Sequence, residues 1–144
     1  MTTTSGTVRA GTVIPGWELP AVSAEKMKTM ALVLVDPNPI HFDLDAVRAL
    51  GMGDKPVNQG PNNLAYVMNM LAAWTGGHEH LRGIRVRFQG NVLGGDHVVA
   101  RGTVSALRED RGRTLADCDV ELVVGERVVL AGTATTDVTH LVRD

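Results

Sequence analysis

Apolar residues follow a helical period in the first third of the chain. Ser23 is a good N-cap residue, and every third or fourth position after it is apolar: Met27, Met30, Ala31 and Leu34. Pro37 limits the helix at its other end, because proline restricts the residue before it and has no N–H to donate. The pattern predicts an amphipathic helix between Ser23 and Pro37.

A second, shorter helix is predicted after Asp43, whose side chain can cap it. Its shared apolar face is Ala46, Val47 and Leu50. Gly51 stands where a left-handed residue commonly ends a helix, and residues 51–60 have the composition of a loop.

The segment 61–75 is apolar on nearly every side of a helix. Pro61 suits the first helical position, and Gly76 and Gly77 end the pattern. We expect the rest of the chain to wrap around this central helix and bury it on all sides.

The period changes to two after Gly77, which is typical of strands with one buried face. Residues 84–88 predict one strand, and three more are expected at 97–107, 114–124 and 127–138. An early strand is expected near 13–19. The short loops between the consecutive later strands predict antiparallel hairpins.

These elements predict an α+β domain in which a curled antiparallel sheet wraps around the central helix. We expect residues 1–10 to be a flexible N-terminus and residues 11–144 to be a single domain. A lone curled sheet leaves strand edges exposed, so a dimer is expected.

Composition narrows the function classes. The formal charge is −2 and aromatic residues are 3%, which disfavours nucleic-acid binding. No apolar run is long enough to span a membrane and the N-terminus lacks a secretory apolar region, so a cytoplasmic protein is expected. The lone Cys118 agrees with a reducing compartment.

Candidate chemistry is concentrated in one stiff segment, Asp36-Pro37-Asn38-Pro39-Ile40-His41-Phe42-Asp43. Asn38 can cap a turn with Pro39 at its first position, which would bring the imidazole of His41 back towards the carboxylate of Asp36. Such a pair is a competent general acid–base at neutral pH. A capping turn with a surface histidine explains the same spacing, and the spacing alone leaves both readings open.

This segment resembles the hydratase-2 motif of the MaoC-like enoyl-CoA hydratases and dehydratases, which have the hot-dog fold. The resemblance covers about residues 10–137. It includes Gly60 before the long apolar helix, Trp74-Thr75-Gly76 at its end, and the strand Arg85-Val86-Arg87-Phe88 leading to Gly95-Asp96.

The resemblance implies roles for individual residues. Asp36 and His41 match the pair that activates water for addition to a trans-2-enoyl thioester, giving the (R)-3-hydroxyacyl product. Asn38 matches the motif asparagine that supports the pair. Gly60 matches the glycine whose backbone N–H contacts the thioester carbonyl, and Asn62 is expected to assist it. The substrate is then an acyl thioester of coenzyme A or a carrier protein, with no metal and no further cofactor.

Two departures from the family pattern stand near these residues. Leu34-Val35 replaces the small residues common before the aspartate, which implies a narrower or reshaped pocket. Gln59-Gly60-Pro61 replaces the frequent His-Gly, and Pro61 has no N–H to contribute.

The leading hypothesis is therefore a hydro-lyase acting as a homodimer or as a heterodimer with another hot-dog subunit. Hot-dog thioesterases generally carry an acid on the central helix, whereas residues 61–75 contain none. A subunit of a heteromeric acyl-thioester dehydratase, a hot-dog acyl-CoA-binding protein and a thioesterase stay open as alternatives, although the missing acid argues against the last. His78-Glu79-His80 lacks a fourth candidate ligand and is interpreted as a solvated turn.

Overall fold

The computed structural model describes residues 7–142. It has five strands and four helices in the order β1 (Val13–Leu19), α1 (Ala24–Val33), α2 (Leu44–Ala49), α3 (Gly60–Thr75), β2 (Leu81–Phe88), β3 (Val98–Asp110), β4 (Arg113–Val124), β5 (Arg127–Asp137) and α4 (Thr139–Val142). Short 3₁₀ turns lie at Pro39–His41 and His78–His80. All five predicted strands and the three predicted helices are confirmed. None of the described helices is long and apolar enough to cross a membrane.

The strands form one antiparallel sheet in the order β1-β3-β4-β5-β2. The predicted hairpins β3–β4 and β4–β5 are confirmed, with Val104 opposite Cys118 and Cys118 opposite Ala134. The predicted hairpin between β2 and β3 is wrong, because β2 pairs with β5 at the far edge of the sheet.

The connection from β2 to β3 crosses the fold because other groups hold both of its ends. Strand β1 occupies the edge of β3 that a hairpin partner would need. Within the connection, Val92 is fully buried and its carbonyl accepts from the Asn58 N–H at 2.7 Å. Leu93 bridges to Val57. These contacts tie residues 89–97 to the chain just before α3, so short loop length does not produce a hairpin here.

Helix α3 contacts all five strands. Its buried face consists of Asn63, Val67, Met70, Leu71 and Thr75. Leu64, Met68 and Ala72 are only partly covered, and Ala73 is exposed. The prediction that α3 is buried on all sides is therefore wrong for the chain by itself, since one curled sheet covers one side of a helix. The opposite side keeps accessible apolar surface.

The caps of the two short helices follow the sequence closely. Ser23 and Asp43 accept backbone N–H bonds as N-caps, and Gly51 has the expected left-handed φ of +69°. Helix α1 ends at Val33, four residues before Pro37, because Val35 adopts a left-handed φ of +51°. Of the predicted N-terminus 1–10, residues 1–6 lie outside the described residues, whereas Val8 is buried in the core.

Candidate active site

The turn at Pro39–His41 is built as the spacing predicts. The Asn38 side chain caps it by accepting the Ile40 N–H at 3.3 Å, and Pro39 takes the first position. The Phe42 N–H donates to the Pro39 carbonyl at 3.1 Å. The turn returns His41 towards the residue five positions earlier.

Asp36 and His41 are brought together by this turn. His41 Nε2 lies 3.1 Å from Asp36 Oδ2, with the His41 side chain 8% and the Asp36 side chain 34% exposed. The other carboxylate oxygen, Oδ1, accepts the backbone N–H of Asn38 at 3.0 Å. Asn38 thus supports the pair in two ways. Its N–H holds the Asp36 carboxylate, and its side chain caps the turn that carries His41.

The second ring nitrogen of His41, Nδ1, has a backbone partner. Nδ1 lies 2.6 Å from the carbonyl oxygen of Val57, which can only accept, so Nδ1 carries a hydrogen. The Val57 carbonyl thereby orients the ring so that Nε2 faces the Asp36 carboxylate. An imidazole held against a carboxylate is the arrangement an acid–base unit needs.

Gly60 begins α3, and its backbone N–H has no hydrogen-bond acceptor among residues 7–142. A helix start presents such N–H groups together with the positive end of the helix dipole. Val57, whose carbonyl holds His41, is three residues earlier, so about 10 Å is the greatest backbone reach between them. The donor and the Asp36–His41 pair accordingly lie in one region.

Glycine is favoured at position 60 because the space beside it is limited, and not because of its backbone conformation. Its φ lies outside the left-handed region, so the backbone conformation does not require glycine there. A Cβ at this position would meet the Phe88 ring at 3.3 Å. The half-exposed ring of Phe88 is therefore part of the surface beside the donor.

Asn62, expected to assist Gly60, uses its side chain within the protein. Its Nδ2 donates to Asn58 Oδ1 and to Gln59 Oε1, both at 3.0 Å. Both amide hydrogens thus have partners in the protein, and Asn62 orders the start of α3. The Gly60 N–H is left without an acceptor among the described residues.

A network of buried amides at this helix start was missed by the sequence reasoning. Gln59 Nε2 donates to the Met27 carbonyl at 2.8 Å and ties α3 to α1. Asn58 Nδ2 donates to Asn63 Oδ1 at 2.9 Å and to the Tyr66 hydroxyl at 3.1 Å, while burial raises the pKa of Tyr66. Four amide residues within positions 58–63 are the signal that could have found it.

Val35 ends helix α1 in an unusual conformation. Its φ is +51°, and the Val35 N–H donates to the Leu32 carbonyl at 3.2 Å. The Asp36 N–H donates to the Ala31 carbonyl at 2.9 Å, which completes a Schellman motif. Glycine usually takes this left-handed position, and a side chain there costs about 1–2 kcal/mol. The early end of α1 therefore fixes the backbone of Asp36.

No group of three potential metal-ligating side chains occurs within residues 7–142. The predicted turn at His78-Glu79-His80 is a 3₁₀ turn, and the His80 ring stacks on His140 with centroids 4.3 Å apart. His140 Nε2 in turn lies 2.6 Å from the Thr75 carbonyl oxygen. These histidines pack the end of α3 against α4.

Comparison with solved structures identifies the fold. An (R)-hydratase from A. caviae, described as involved in PHA biosynthesis, is 22% identical with a TM-score of 0.78 over 89% of this chain and 95% of that one. The ChsH1–ChsH2 complex from Mycobacterium tuberculosis is 20% identical, with a TM-score of 0.76 over 92% and 98%. The truncated HadBC complex, a 3R-hydroxyacyl-ACP dehydratase from the same organism, is 19% identical, with a TM-score of 0.71 over 91% and 98%.

The topology and these superpositions give the hot-dog fold that the resemblance implied. A search among curated proteins found no match. Residues 10–125 match the family model of the MaoC-like domain. The chain therefore belongs to the MaoC-like dehydratase family.

Proposed function

We propose that this chain catalyses the reversible addition of water to a trans-2-enoyl thioester, giving the (R)-3-hydroxyacyl thioester. The observation that carries the proposal is the 3.1 Å contact between Asp36 Oδ2 and His41 Nε2 on a rigid turn. Membership of the MaoC-like family supports it. The reaction uses acid–base groups and an oxyanion donor, so we propose no cofactor beyond the coenzyme A or carrier protein of the substrate.

In the hydration direction, the oxygen of water forms a bond with C3 while the C2–C3 double bond opens towards the thioester carbonyl. One proton passes from water to the Asp36–His41 pair, and the pair returns one proton to C2. The whole water molecule is added and no electrons are lost. A carboxylate and an imidazole in contact can perform both transfers between them, and general acid–base groups contribute about 10²–10⁴ in rate.

The Gly60 N–H is the donor we propose for the thioester oxygen. Negative charge develops on that oxygen as water attacks, and a preorganised backbone donor stabilises it without reorganisation. The buried amide network supports this role, because it holds the first residues of α3 in place.

A subunit of a heteromeric acyl-thioester dehydratase is the second candidate. The partly covered face of α3 and the unpaired edges of β1 and β2 favour a partner subunit, and two of the similar solved structures are complexes of two named subunits. Either a second copy of this chain or another hot-dog subunit fits these surfaces. The presence of both Asp36 and His41 supports a catalytic role for this chain in either case.

The test is a hydration assay on the purified chain, following loss of the conjugated enoyl absorbance of crotonyl-CoA and longer enoyl-CoA thioesters. Asp36→Asn and His41→Ala should each lower kcat/KM at least about a hundredfold, because each removes one partner of the acid–base pair. Asparagine keeps the oxygen that accepts the Asn38 N–H, so the turn should persist.

Matched controls come from exposed residues of the same types. Asp54→Asn alters an exposed loop residue, and His97→Ala alters a histidine whose contact is Glu18 at 2.8 Å. Both should keep wild-type activity. Full activity in either Asp36→Asn or His41→Ala would refute this site, and a chain that binds acyl-CoA as a dimer without hydrating it would favour the acyl-CoA-binding alternative.

A further inference from the structure

An open apolar cavity of about 600 Å³ is lined in part by Asp36. Its lining consists of Lys28, Ala31, Leu32, Val35, Asp36, Pro37 and Phe42. Lys28 is tied to Glu25 by an ion pair of 3.0 Å, so the remaining wall is almost entirely hydrocarbon apart from Asp36. Cavities of this size and character bind small organic molecules.

Two residues of this wall are far more exposed than apolar side chains usually are. Leu32 is 82% exposed and Val35 is 85% exposed. Leu32 lies on the last turn of α1 and Val35 is the second residue after the helix, beside the Schellman bonds that fix Asp36. Nothing within residues 7–142 buries either side chain.

Val35 carries a second, independent sign of an external role. A β-branched side chain at φ +51° is unfavourable, and glycine would form the same Schellman motif without that strain. Burial within the described chain does not offset the strain, because the side chain is exposed. The Val35 side chain is therefore available to contact a molecule outside the chain.

We propose that Leu32 and Val35 bind the hydrocarbon part of the acyl group, so that Val35 is a specificity-determining residue. This inference rests on the proposed function and adds the place of the acyl chain to it. Val35 is covalently adjacent to Asp36, so a hydrocarbon chain lying against Val35 has its thioester end close to the acid–base pair. The occupant must share the cavity with the reacting carboxylate, which favours the substrate over a protein partner.

The test measures binding separately from turnover. Isothermal titration calorimetry with butyryl-CoA and octanoyl-CoA, which are saturated and cannot be hydrated, gives the ratio of the two dissociation constants. In wild type, octanoyl-CoA should bind more tightly. Val35→Gly should reduce that preference about tenfold, because each methylene lost from an apolar contact is worth about that factor or more. Leu32→Ala should act in the same direction.

Val33→Ala is the matched control. Val33 is 67% exposed on the same helix end but does not line the cavity, so its replacement should leave the ratio unchanged. Val35→Gly should also raise the melting temperature, because the strain at φ +51° is relieved. The same variants assayed with crotonyl-CoA and trans-2-octenoyl-CoA should show the matching change in the ratio of kcat/KM.

The outcomes separate the two proposals. An unchanged octanoyl-to-butyryl ratio in Val35→Gly overturns the acyl-chain assignment, whatever the activity. If the ratio changes in Val35→Gly while the wild-type chain hydrates neither enoyl-CoA, the binding assignment stands and the hydratase proposal is refuted. If Val35→Gly instead lowers the mass of the protein in solution and weakens both acyl-CoA ligands equally, a partner subunit covers this surface and the inference is wrong.

Discussion

Two regions of the molecule differ in their backbone angles and in which side chains they bury. One consists of the hairpins of β3, β4 and β5, and the other is the segment from residue 34 to residue 60. At the hairpin turns, left-handed φ angles fall on Gly112, Gly125 and the unbranched Arg111. In the segment, such angles fall on Gly51, Gly53 and also on the β-branched Val35. The hairpins therefore follow ordinary turn preferences, whereas the segment keeps a residue that is unfavourable for the backbone.

The two regions also differ in how their side chains are paired. The inward side of the hairpins is apolar, as at Cys118 and Leu122, and burial raises the pKa of the Cys118 thiol to about 12. The segment buries His41, Asn58 and Gln59 and exposes apolar side chains. The difference teaches that the hairpins supply stability, whereas the segment holds the residues for which we propose the chemistry.

The largest expected effect is on the free energy of unfolding, when a leucine is replaced by alanine in each of the two regions. Leu122→Ala on β4 should lower the free energy of unfolding by about 2–5 kcal/mol, because Leu122 is fully buried and truncation leaves a cavity. Leu50→Ala in the segment should change it by less than about 0.5 kcal/mol, since Leu50 is 64% exposed. Urea unfolding curves of both variants decide it. Equal losses would abolish the distinction between the regions.

A smaller effect concerns the one buried carboxylate at the end of the hairpins. Asp137 accepts hydrogen bonds from Arg113 at 2.8 Å, from Arg82 at 3.1 Å and from Thr139. The Arg113 hydrogen bond is the main reason why the pKa of Asp137 lies well below its usual 3.8. The carboxylate therefore contributes stability above about pH 4, and that stability is lost as the pH falls further.

Asp137→Asn should consequently cost about 1–3 kcal/mol at pH 7, a modest figure because both arginines are half exposed to solvent. The difference in melting temperature between wild type and Asp137→Asn should shrink as the pH falls below 4. Asp119→Asn, an exposed position on β4, is the control and should change little. A difference that stays constant with pH would contradict the role of the Asp137 charge. Enoyl-CoA hydration at pH 7 should be retained in the folded variant.

Much of the fold could be predicted because local patterns decided it. Period two located β3, β4 and β5, and the capping side chains of Ser23 and Asp43 located two helix starts. The place of β2 at the edge beside β5 could not be predicted, because it depends on β1 and on the buried Val92, which are distant in sequence. Local pattern predicts elements, and long-range contacts decide their neighbours.

The candidate site divides in the same way. The turn that joins Asp36 to His41 followed from Asn38 and Pro39. The partner of His41 Nδ1 is a backbone carbonyl sixteen residues away, which no side-chain pattern indicates. The left-handed Val35 was equally hidden, because sequence favours glycine at such a position. Its place before Asp36 was nonetheless visible as a departure from the small residues of the family pattern.

The central claim is that Asp36 and His41 act as one acid–base unit, and a double-mutant cycle on enoyl-CoA hydration tests it most directly. The double variant Asp36→Asn/His41→Ala should be about as slow as the slower single variant, because removing either partner already disables a unit. Its melting temperature should show that it is folded. A double variant slower by the product of the two single losses, about 10⁴-fold or more, would mean that the two residues act independently and would contradict the claim.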